Sequence, residues 1–170
     1  MIIYKNFITL NLDELKLVWQ WRNDENISQF MLNKSIKFEE HVNFIEQLKT
    51  SKDKKYFLLF KENQAFGVIY FNNITNQTCE FGLYAKPHLK GVGQILMNEI
   101  KKYAFEILKI KTLKACVFKN NEKALKLYKN NDFTITKEDE EFFILYYIIL
   151  TAKPCLANSS LISLGVYLEK

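Results

Sequence analysis

Gly91 and Gly93 stand at the start of a long stretch with helical periodicity, a placement that could bind a phosphate group. Glycines let a ligand come close to the backbone at that point. The free N–H groups of a first helical turn point outward with the positive end of the helix dipole behind them, and Gln94 adds one more such group. The geometry suits a pyrophosphate. The pattern alone nevertheless favours the simpler alternative, a tight turn between a strand and a helix.

Two well-known phosphate motifs do not fit this segment. No Gly-Lys-Ser or Gly-Lys-Thr run follows Gly93, so the segment is not a P-loop. A dinucleotide-binding fingerprint also fails, because its third glycine is missing and the preceding strands are predicted to form a hairpin meander. A phosphate site here would have to be of another kind.

A second pattern lies about thirty residues further on, on a short predicted helix. Asn121, Ala124 and Tyr128 are followed by Asp132 and Phe133. Ala124 and Tyr128 are four residues apart, so they share one helix face. Taken alone, a tyrosine in this position indicates a core aromatic residue with its hydroxyl at the rim of the core.

Hydrophobic periodicity predicts the elements that must position these residues. The order is strand, two helices, three strands, long helix, strand, short helix and two strands, at about 2–10, 12–22, 38–50, 56–60, 66–71, 80–84, 92–108, 112–118, 121–130, 133–136 and 142–150. Asn11 or Asp13 is expected to cap the first helix, and Asn120 or Asn121 the short one. The long helix should bury one stripe, formed by Ile95, Leu96, Ile100, Tyr103, Ala104, Ile107 and Leu108. Residues 1–150 are expected to form one domain, and residues 151–170 a tail to which no pattern assigns a role.

Composition and charge limit the classes of protein. Of 170 residues, 48% are hydrophobic and 25% charged, which indicates one globular domain. No run of about twenty apolar residues predicts a membrane span, and the first residues lack the order of a secretory signal. The net charge of +5 could attract anionic ligands, but the lysines are scattered, so nucleic-acid binding is not expected.

The cysteines and histidines give no sign of a disulfide framework or a metal site. Cys79, Cys116 and Cys155 are odd in number and widely spaced, which fits a reducing cytosol. No CxxC or HxxxH pair occurs, so no metal is expected.

Together the two patterns resemble the GNAT superfamily of N-acetyltransferases. That family has Gln/Arg-x-x-Gly-x-Gly/Ala at the start of a long helix, then Asn-x-x-Ala-x-x-x-Tyr-x-x-x-Gly-Phe. Here His88 replaces Gln or Arg, and Asp132 replaces Gly. The resemblance implies an α/β GNAT fold. Its central sheet would be mixed and mostly antiparallel, with about seven strands, about four flanking helices and a splay between strands 80–84 and 112–118.

The resemblance also implies an acetyl-CoA site. The cofactor would contact His88, Leu89, Gly91, Val92, Gly93, Gln94 and Asn121. Pantetheine would lie in the splay, with the backbone N–H near Leu83 steadying the oxyanion. The amine would attack directly, with no acyl-enzyme, so the three cysteines are expected to be small buried hydrophobic residues.

Two residues receive acid and base roles from the resemblance. Tyr128 would act as general acid on the departing thiolate. Because reference pKa values are about 10 for tyrosine and about 8.5 for a thiol, full proton transfer is uphill by about 1.5 units, and hydrogen bonding with partial transfer is the expected role. The amine must be neutral, and Glu80 could act as its base. The alternative for Glu80 is a solvent-facing strand residue.

The acceptor is predicted from a narrower resemblance. The Trp21-Arg22-Asn23 stretch and the spacing of Phe38, His41 and Phe44 resemble the branch that acetylates the 4-amino group of a UDP-linked 4,6-dideoxy-AltNAc sugar in the pseudaminic-acid pathway. That branch implies nucleotide-sugar contacts by Arg22, His41, Asn72, Asn73 and Tyr84. Position alone indicates an internal salt bridge or helix cap for Arg22, and a satisfied core residue for His41.

Other functions stay open at this level. One alternative is acetylation of a ribosomal protein or another peptide N-terminus, and a second is a GNAT domain that binds coenzyme A without turnover. The narrower resemblance implies a bacterial cytoplasmic enzyme that feeds flagellin glycosylation, and a homodimer is compatible with the family.

Overall fold

The computed structural model describes residues 1–149, which form seven strands and five α-helices. The strands are β1 (Ile2–Asn6), β2 (Lys55–Lys61), β3 (Gln64–Asn72), β4 (Thr78–Ala85), β5 (Thr112–Phe118), β6 (Thr134–Glu138) and β7 (Phe142–Ile148). The helices are α1 (Leu12–Asn23), α2 (Glu25–Ser28), α3 (Phe38–Leu48), α4 (Gly93–Lys102) and α5 (Glu122–Lys129). The tail predicted at 151–170 lies outside the described residues.

All seven strands belong to one sheet, in the order β1-β2-β3-β4-β5-β7-β6. Every neighbouring pair is antiparallel except β4 and β5, which run parallel. Their pairing covers only Thr78–Glu80 of β4 and Thr112–Lys114 of β5. Beyond Glu80 and Lys114 the two strands separate, which confirms the predicted GNAT architecture with its splay.

Two apolar clusters cover the two faces of the sheet. Alternation along β2 places Leu59 on one face and Leu58 on the other. Leu59 belongs to the cluster with α4, which buries Leu96 and Ile100 completely. Leu58 belongs to the cluster with α1 and α3, in which Val18 is fully buried. The sheet is therefore covered by α4 on one face and by α1 and α3 on the other.

The first helix begins where the sequence predicted. The Asn11 side chain accepts a hydrogen bond from the Glu14 N–H at 2.9 Å, and the Glu14 carboxylate accepts one from the Asn11 N–H at 2.9 Å. This capping box satisfies two N–H groups at the helix start. The preceding strand is shorter than predicted, because a 3-10 turn (Phe7–Thr9) replaces its last residues, and the short α2 was not predicted.

The long helix differs from its prediction at the C-terminal end. Its α-helical part is followed by a π-helical turn (Tyr103–Ile107), in which the Leu108 N–H donates to the Tyr103 carbonyl at 2.9 Å. The extra residue in this turn rotates the side chains that follow it. Ile107, predicted to lie in the buried stripe, is 61% exposed for this reason, whereas Ala104 is fully buried as predicted.

None of the helices within residues 1–149 is both long and apolar enough to cross a membrane.

Candidate active site

The gap between β4 and β5 exposes backbone N–H groups of β4. The Lys86 N–H donates to the Phe66 carbonyl at 2.9 Å, so even-numbered residues of β4 bond to β3. The Thr112 N–H donates to the Gln77 carbonyl at 3.0 Å, so odd-numbered residues point to β5. Since peptide groups alternate along a strand and the β3–β4 register is regular, the Leu83 N–H points into the gap. No described strand pairs with it there.

The loop between β4 and α4 adopts two left-handed residues. His88 has φ of 63° and Gly91 has φ of 80°. A side chain at Gly91 would meet nothing within 4 Å, so its backbone conformation, rather than lack of space, calls for glycine. His88 and Leu89 are both exposed, and His88 Nε2 lies 4.0 Å from Asp24 Oδ2. The loop therefore presents its backbone to solvent at the start of α4.

The first turn of α4 has N–H groups that the helix does not use. Its first backbone bond runs from the Leu96 N–H to the Val92 carbonyl at 3.0 Å. The three N–H groups ahead of that bond belong to Gly93, Gln94 and Ile95. With the helix dipole behind them, these groups fit an anionic pyrophosphate. The cofactor residues predicted in this loop are thus brought together around one helix start.

The Gln94 side chain joins α4 to the end of α5. Its amide exchanges two hydrogen bonds with the Asn131 amide, each at 2.9 Å. Asn131 is buried, donates to the Leu127 carbonyl at 2.9 Å, and receives a bond from Lys101 Nζ at 2.8 Å on its own carbonyl. Sequence reasoning missed Asn131, which connects the helix of the phosphate loop to the helix of Tyr128.

Asn121 and Asp132 define the two ends of α5. Asn121 Oδ1 accepts a hydrogen bond from the Ala124 N–H at 3.2 Å, which confirms it as the cap. Asp132 has φ of 68°, in the left-handed region. This is the position at which the GNAT pattern has glycine, and aspartate is among the few other residues that adopt this conformation readily. The substitution therefore keeps the turn.

Tyr128 is 6% exposed, with its ring fixed in an aromatic group. The centroid of its ring lies 5.5 Å from that of Phe81 and 5.7 Å from that of Phe133. Burial raises the pKa of Tyr128, and the nearby Tyr70 and Cys116 raise it further. The phenol is therefore neutral and able to donate a proton near neutral pH.

The cysteines separate into two environments. Cys79 is 1% exposed, and burial raises its pKa to about 12, which agrees with the prediction of a small buried hydrophobic residue. For Cys116 that prediction is wrong, because its side chain is exposed. Along β5 Cys116 alternates with the buried Ala115 and Val117, so its side chain lies on the opposite face of the strand. Cys155 lies outside the described residues.

Glu80 lies at the apex of the splay and is bound to Lys114. Their Oε1 and Nζ atoms are 2.7 Å apart, and both side chains are about one-third exposed, at 33% and 31%. The hydrogen bond to Glu80 raises the pKa of Lys114. The two residues are also register partners in the last paired position of β4 and β5. The ion pair therefore closes the parallel ladder.

The Trp21-Arg22-Asn23 stretch holds the segment between α2 and α3. Asn23 exchanges hydrogen bonds with the Ile36 backbone, at 2.9 Å to its carbonyl and 3.0 Å from its N–H. Arg22 Nη2 donates to the Asn33 carbonyl. The next residue, Lys34, places its Nζ 5.1 Å from the centroid of the Phe118 ring. The segment thus reaches from α1 to β5, across the gap.

Arg22 and His41 each have a buried polar atom without a protein partner. Arg22 Nη1 and His41 Nε2 make no hydrogen bond within the described part of the chain. Neither an ion pair nor a helix-capping bond of Arg22 occurs there, and His41 is 4% exposed, so it is buried but not satisfied. Burial lowers the pKa of both groups, for His41 to about 4, with the Arg22 charge contributing. Unpartnered buried polar atoms at this place suit a polar ligand.

The other residues predicted to contact the acceptor substrate lie in different parts of the site. Tyr84 is half-buried. Burial raises its pKa, and the Arg22 charge opposes part of that rise. Asn72 Oδ1 accepts a hydrogen bond from the Tyr56 hydroxyl at 3.0 Å, and Asn72 pairs with Glu80 in the β3–β4 register. Asn73 is exposed, with φ of 51°. The structure thus brings Tyr84 near Arg22, and Asn72 near the apex.

Comparison with known proteins assigns the chain to a family. Residues 15–133 match the acetyltransferase (GNAT) family. A curated acetyltransferase, PseH of Campylobacter jejuni serotype O:2, is 60% identical over 160 residues, which cover 94% of this chain and 100% of that protein. The chain belongs to the GNAT acetyltransferase family. The predicted enzyme class, an acetyl-CoA-dependent N-acetyltransferase, is thereby confirmed.

Solved GNAT structures agree with the fold. The crystal structure of Campylobacter jejuni PseH in complex with acetyl coenzyme A has a TM-score of 0.77 and 55% identity, over 87% of this chain and 99% of that one. A spermidine N-acetyltransferase from Vibrio cholerae, in complex with CoA and spermine, also has a TM-score of 0.77 at 18% identity, over 86% and 95% of the two chains. At that identity the likeness shows the fold alone. Residues 1–149 contain no group of three or more His, Cys, Asp or Glu side chains that could hold a metal ion.

Proposed function

We propose that this enzyme transfers the acetyl group of acetyl-CoA to the 4-amino group of UDP-4-amino-4,6-dideoxy-N-acetyl-β-L-altrosamine in pseudaminic-acid biosynthesis. The observation that carries the acceptor is the pair of buried, unpartnered polar atoms on Arg22 and His41, beside an acetyltransferase splay. The 60% identity to PseH over nearly the whole chain supports the same pathway. Transfer within the cytoplasm, by a homodimer, stays a prediction.

The donor side of the proposal uses backbone groups. The N–H groups at the start of α4, with the left-handed turn at Gly91, would hold the pyrophosphate of acetyl-CoA. The Leu83 N–H, which points into the gap, would donate a hydrogen bond to the thioester oxygen as negative charge develops on it. Backbone donors are already oriented, so they need little reorganisation during the reaction.

Tyr128 would be the general acid. Its buried phenol is neutral, and its hydroxyl would donate a hydrogen bond to the leaving sulfur. Because burial raises the tyrosine pKa above its usual value of about 10, complete proton transfer to a thiolate becomes more unfavourable than the reference values indicate. Hydrogen-bond stabilisation with partial proton transfer therefore describes the proposed role.

Glu80 remains the candidate base for the amine. One carboxylate oxygen binds Lys114 at 2.7 Å, and this is its one hydrogen bond within residues 1–149. The other oxygen would accept the amine proton, directly or through water.

The acceptor side combines one cation with neutral polar groups. Arg22 would donate from Nη1 to a diphosphate oxygen, since a guanidinium suits phosphate geometry. His41, with a pKa of about 4, is neutral at pH 7 and would contribute a hydrogen bond rather than a charge. Tyr84, Asn72 and the exposed Asn73 would complete the contacts to the nucleotide sugar.

The test compares two acceptors under identical conditions. Purified full-length protein is mixed with acetyl-CoA and either the UDP-amino sugar or a peptide with a free N-terminus, and thiol release is followed. The proposal expects turnover with the sugar and a far smaller kcat/KM with the peptide. Turnover restricted to the peptide would refute the proposed acceptor, and acetyl-CoA binding without turnover on either would favour a non-catalytic domain.

A further inference from the structure

Tyr70 lies directly against the backbone of Gly82, its register partner on β4. A Cβ atom built on Gly82 would be 2.1 Å from Cζ and 2.2 Å from the hydroxyl oxygen of Tyr70. No side chain can occupy that space while the ring stays in place. Glycine at this position thus allows the hydroxyl end of Tyr70 to rest on β4, the strand that borders the gap.

A second contact fixes the Tyr70 ring. The Tyr56 ring stacks on it with centroids 4.9 Å apart and an interplanar angle of 5°. Tyr56 is held in turn by its hydrogen bond to Asn72 at 3.0 Å. With the Gly82 backbone and the Tyr56 ring both packed against it, the Tyr70 ring has little freedom, and its hydroxyl is a rigidly placed polar group.

Tyr70 lies near residues of the acceptor side of the proposed site and near the proposed acid. Burial raises the pKa of Tyr70, which the Arg22 charge lowers and the nearby Cys116 raises further. Burial also raises the pKa of Tyr84 and of Tyr128, and in both cases the nearby Tyr70 adds to the rise. Arg22 and Tyr84 belong to the acceptor side, whereas Tyr128 is the proposed acid. Within residues 1–149 no hydrogen-bond partner is found for the Tyr70 hydroxyl, although Tyr56 beside it has one.

We propose that Tyr70 positions the attacking amine. Its hydroxyl oxygen accepts a hydrogen bond from one N–H of the acceptor nitrogen, so that the nitrogen lone pair is directed at the acetyl carbon. This inference rests on the proposed function, because it requires an amine acceptor in the gap between Arg22 and Tyr128. Burial raises the Tyr70 pKa, so this neutral phenol orients the amine and does not remove its proton.

The test is a Tyr70→Phe variant, which keeps both ring contacts and removes the hydroxyl. We expect the acceptor KM to rise by roughly three- to tenfold, the usual effect of one hydrogen bond, with kcat also reduced. The Kd for coenzyme A and the midpoint of thermal unfolding should not change. The matched control is Tyr103→Phe, whose ring packs against Phe71 in the cluster on the other face, and it should leave both kinetic constants unchanged.

A double-mutant cycle separates positioning from a general structural effect. Gly82→Ala should disturb the acceptor KM when the Tyr70 ring is present, because the new methyl group displaces it. In a Tyr70→Ala background, the same change at Gly82 should have little further effect on that KM. Equal effects of Gly82→Ala in both backgrounds, or an unchanged acceptor KM in Tyr70→Phe, would overturn the inference.

The two proposals fail in different ways. Wild-type turnover of the sugar tests the proposed function, while the ratio of variant to wild-type KM tests Tyr70. If the wild type acetylates only the peptide, the proposed acceptor is refuted, and the Tyr70→Phe comparison is made with the peptide amine instead. An unchanged peptide KM would then refute the positioning role as well.

Discussion

His41 gives the enzyme a pH-dependent stability whose size follows from its environment. The imidazole is 4% exposed, and burial lowers its pKa from 6.5 to about 4, with the Arg22 charge adding to the effect and the Leu15 backbone opposing it. The folded state therefore resists protonation of this residue, whereas the unfolded chain accepts the proton at its ordinary pKa. A fall in pH across the interval between these two pKa values should therefore destabilise the folded enzyme.

The direction and size of this change in the free energy of unfolding follow from the difference between the folded and unfolded pKa values of His41. Above pH 6.5 the imidazole is neutral in both states, so stability does not change with pH through His41, and below that value the unfolded state binds the proton first. Stability should fall by about 1.4 kcal/mol per pH unit until the folded pKa is reached, about 3 kcal/mol in all. That loss is a large part of the ~5–15 kcal/mol by which a domain is usually stable.

The assay is urea unfolding of wild type and a His41→Gln variant at a series of pH values. Glutamine keeps a polar side chain but does not titrate, so the difference between the two proteins isolates His41 from other titrating groups. The wild type should lose about 3 kcal/mol relative to the variant between pH 7 and pH 4. A difference that stays constant across this range would show that His41 is not held neutral, and would refute the reasoning.

Three further changes test other parts of the site. Tyr128→Phe should lower kcat by on the order of a hundredfold or more while the Kd for coenzyme A is kept, and near-normal turnover in steady-state assays would exclude the acid role. Arg22→Gln should raise the KM of the nucleotide sugar by roughly tenfold or more and weaken its dependence on salt, with the acetyl-CoA KM as the internal control. Asp132→Ala should lower the free energy of unfolding by about 1 kcal/mol, because alanine resists the left-handed conformation, whereas Asp132→Gly should not. Equal stabilities of these two variants in urea would contradict that explanation.

The fold could be predicted largely because its signals are local. Short apolar and aromatic runs separated by polar breaks placed β2, β3 and β4, and Asn11 and Asn121 marked helix starts by capping. Ile107 was wrongly predicted to be buried, because its spacing in the sequence fits the apolar stripe of a regular α-helix. The π turn in which it lies rotates its side chain away from the sheet, and the sequence carries no sign of that turn. Cys116 was predicted to be buried because cysteine is usually a buried residue, although the alternation along β5 places it on the face opposite the buried Ala115.

The candidate site was only partly accessible from sequence. Motif spacing identified the helix start at Gly93 and the Tyr128 helix, which the structure joins through the Gln94–Asn131 amide pair. The contacts of Lys114 with Glu80 and of Asn131 with Gln94 join residues 34 and 37 positions apart, and no local pattern records such pairs. Tyr70 was missed for the same reason, because its position depends on Gly82 across the sheet.

The most direct test of the central claim is the site of acetylation on the product. Full-length enzyme is incubated with isotope-labelled acetyl-CoA and the UDP-4-amino sugar, and the purified product is examined by NMR. The proposed function expects one labelled acetyl group, correlated through the amide to carbon 4 of the hexose, with the UDP group intact. A label at any other position, or an unlabelled sugar beside a labelled peptide amine, would contradict it.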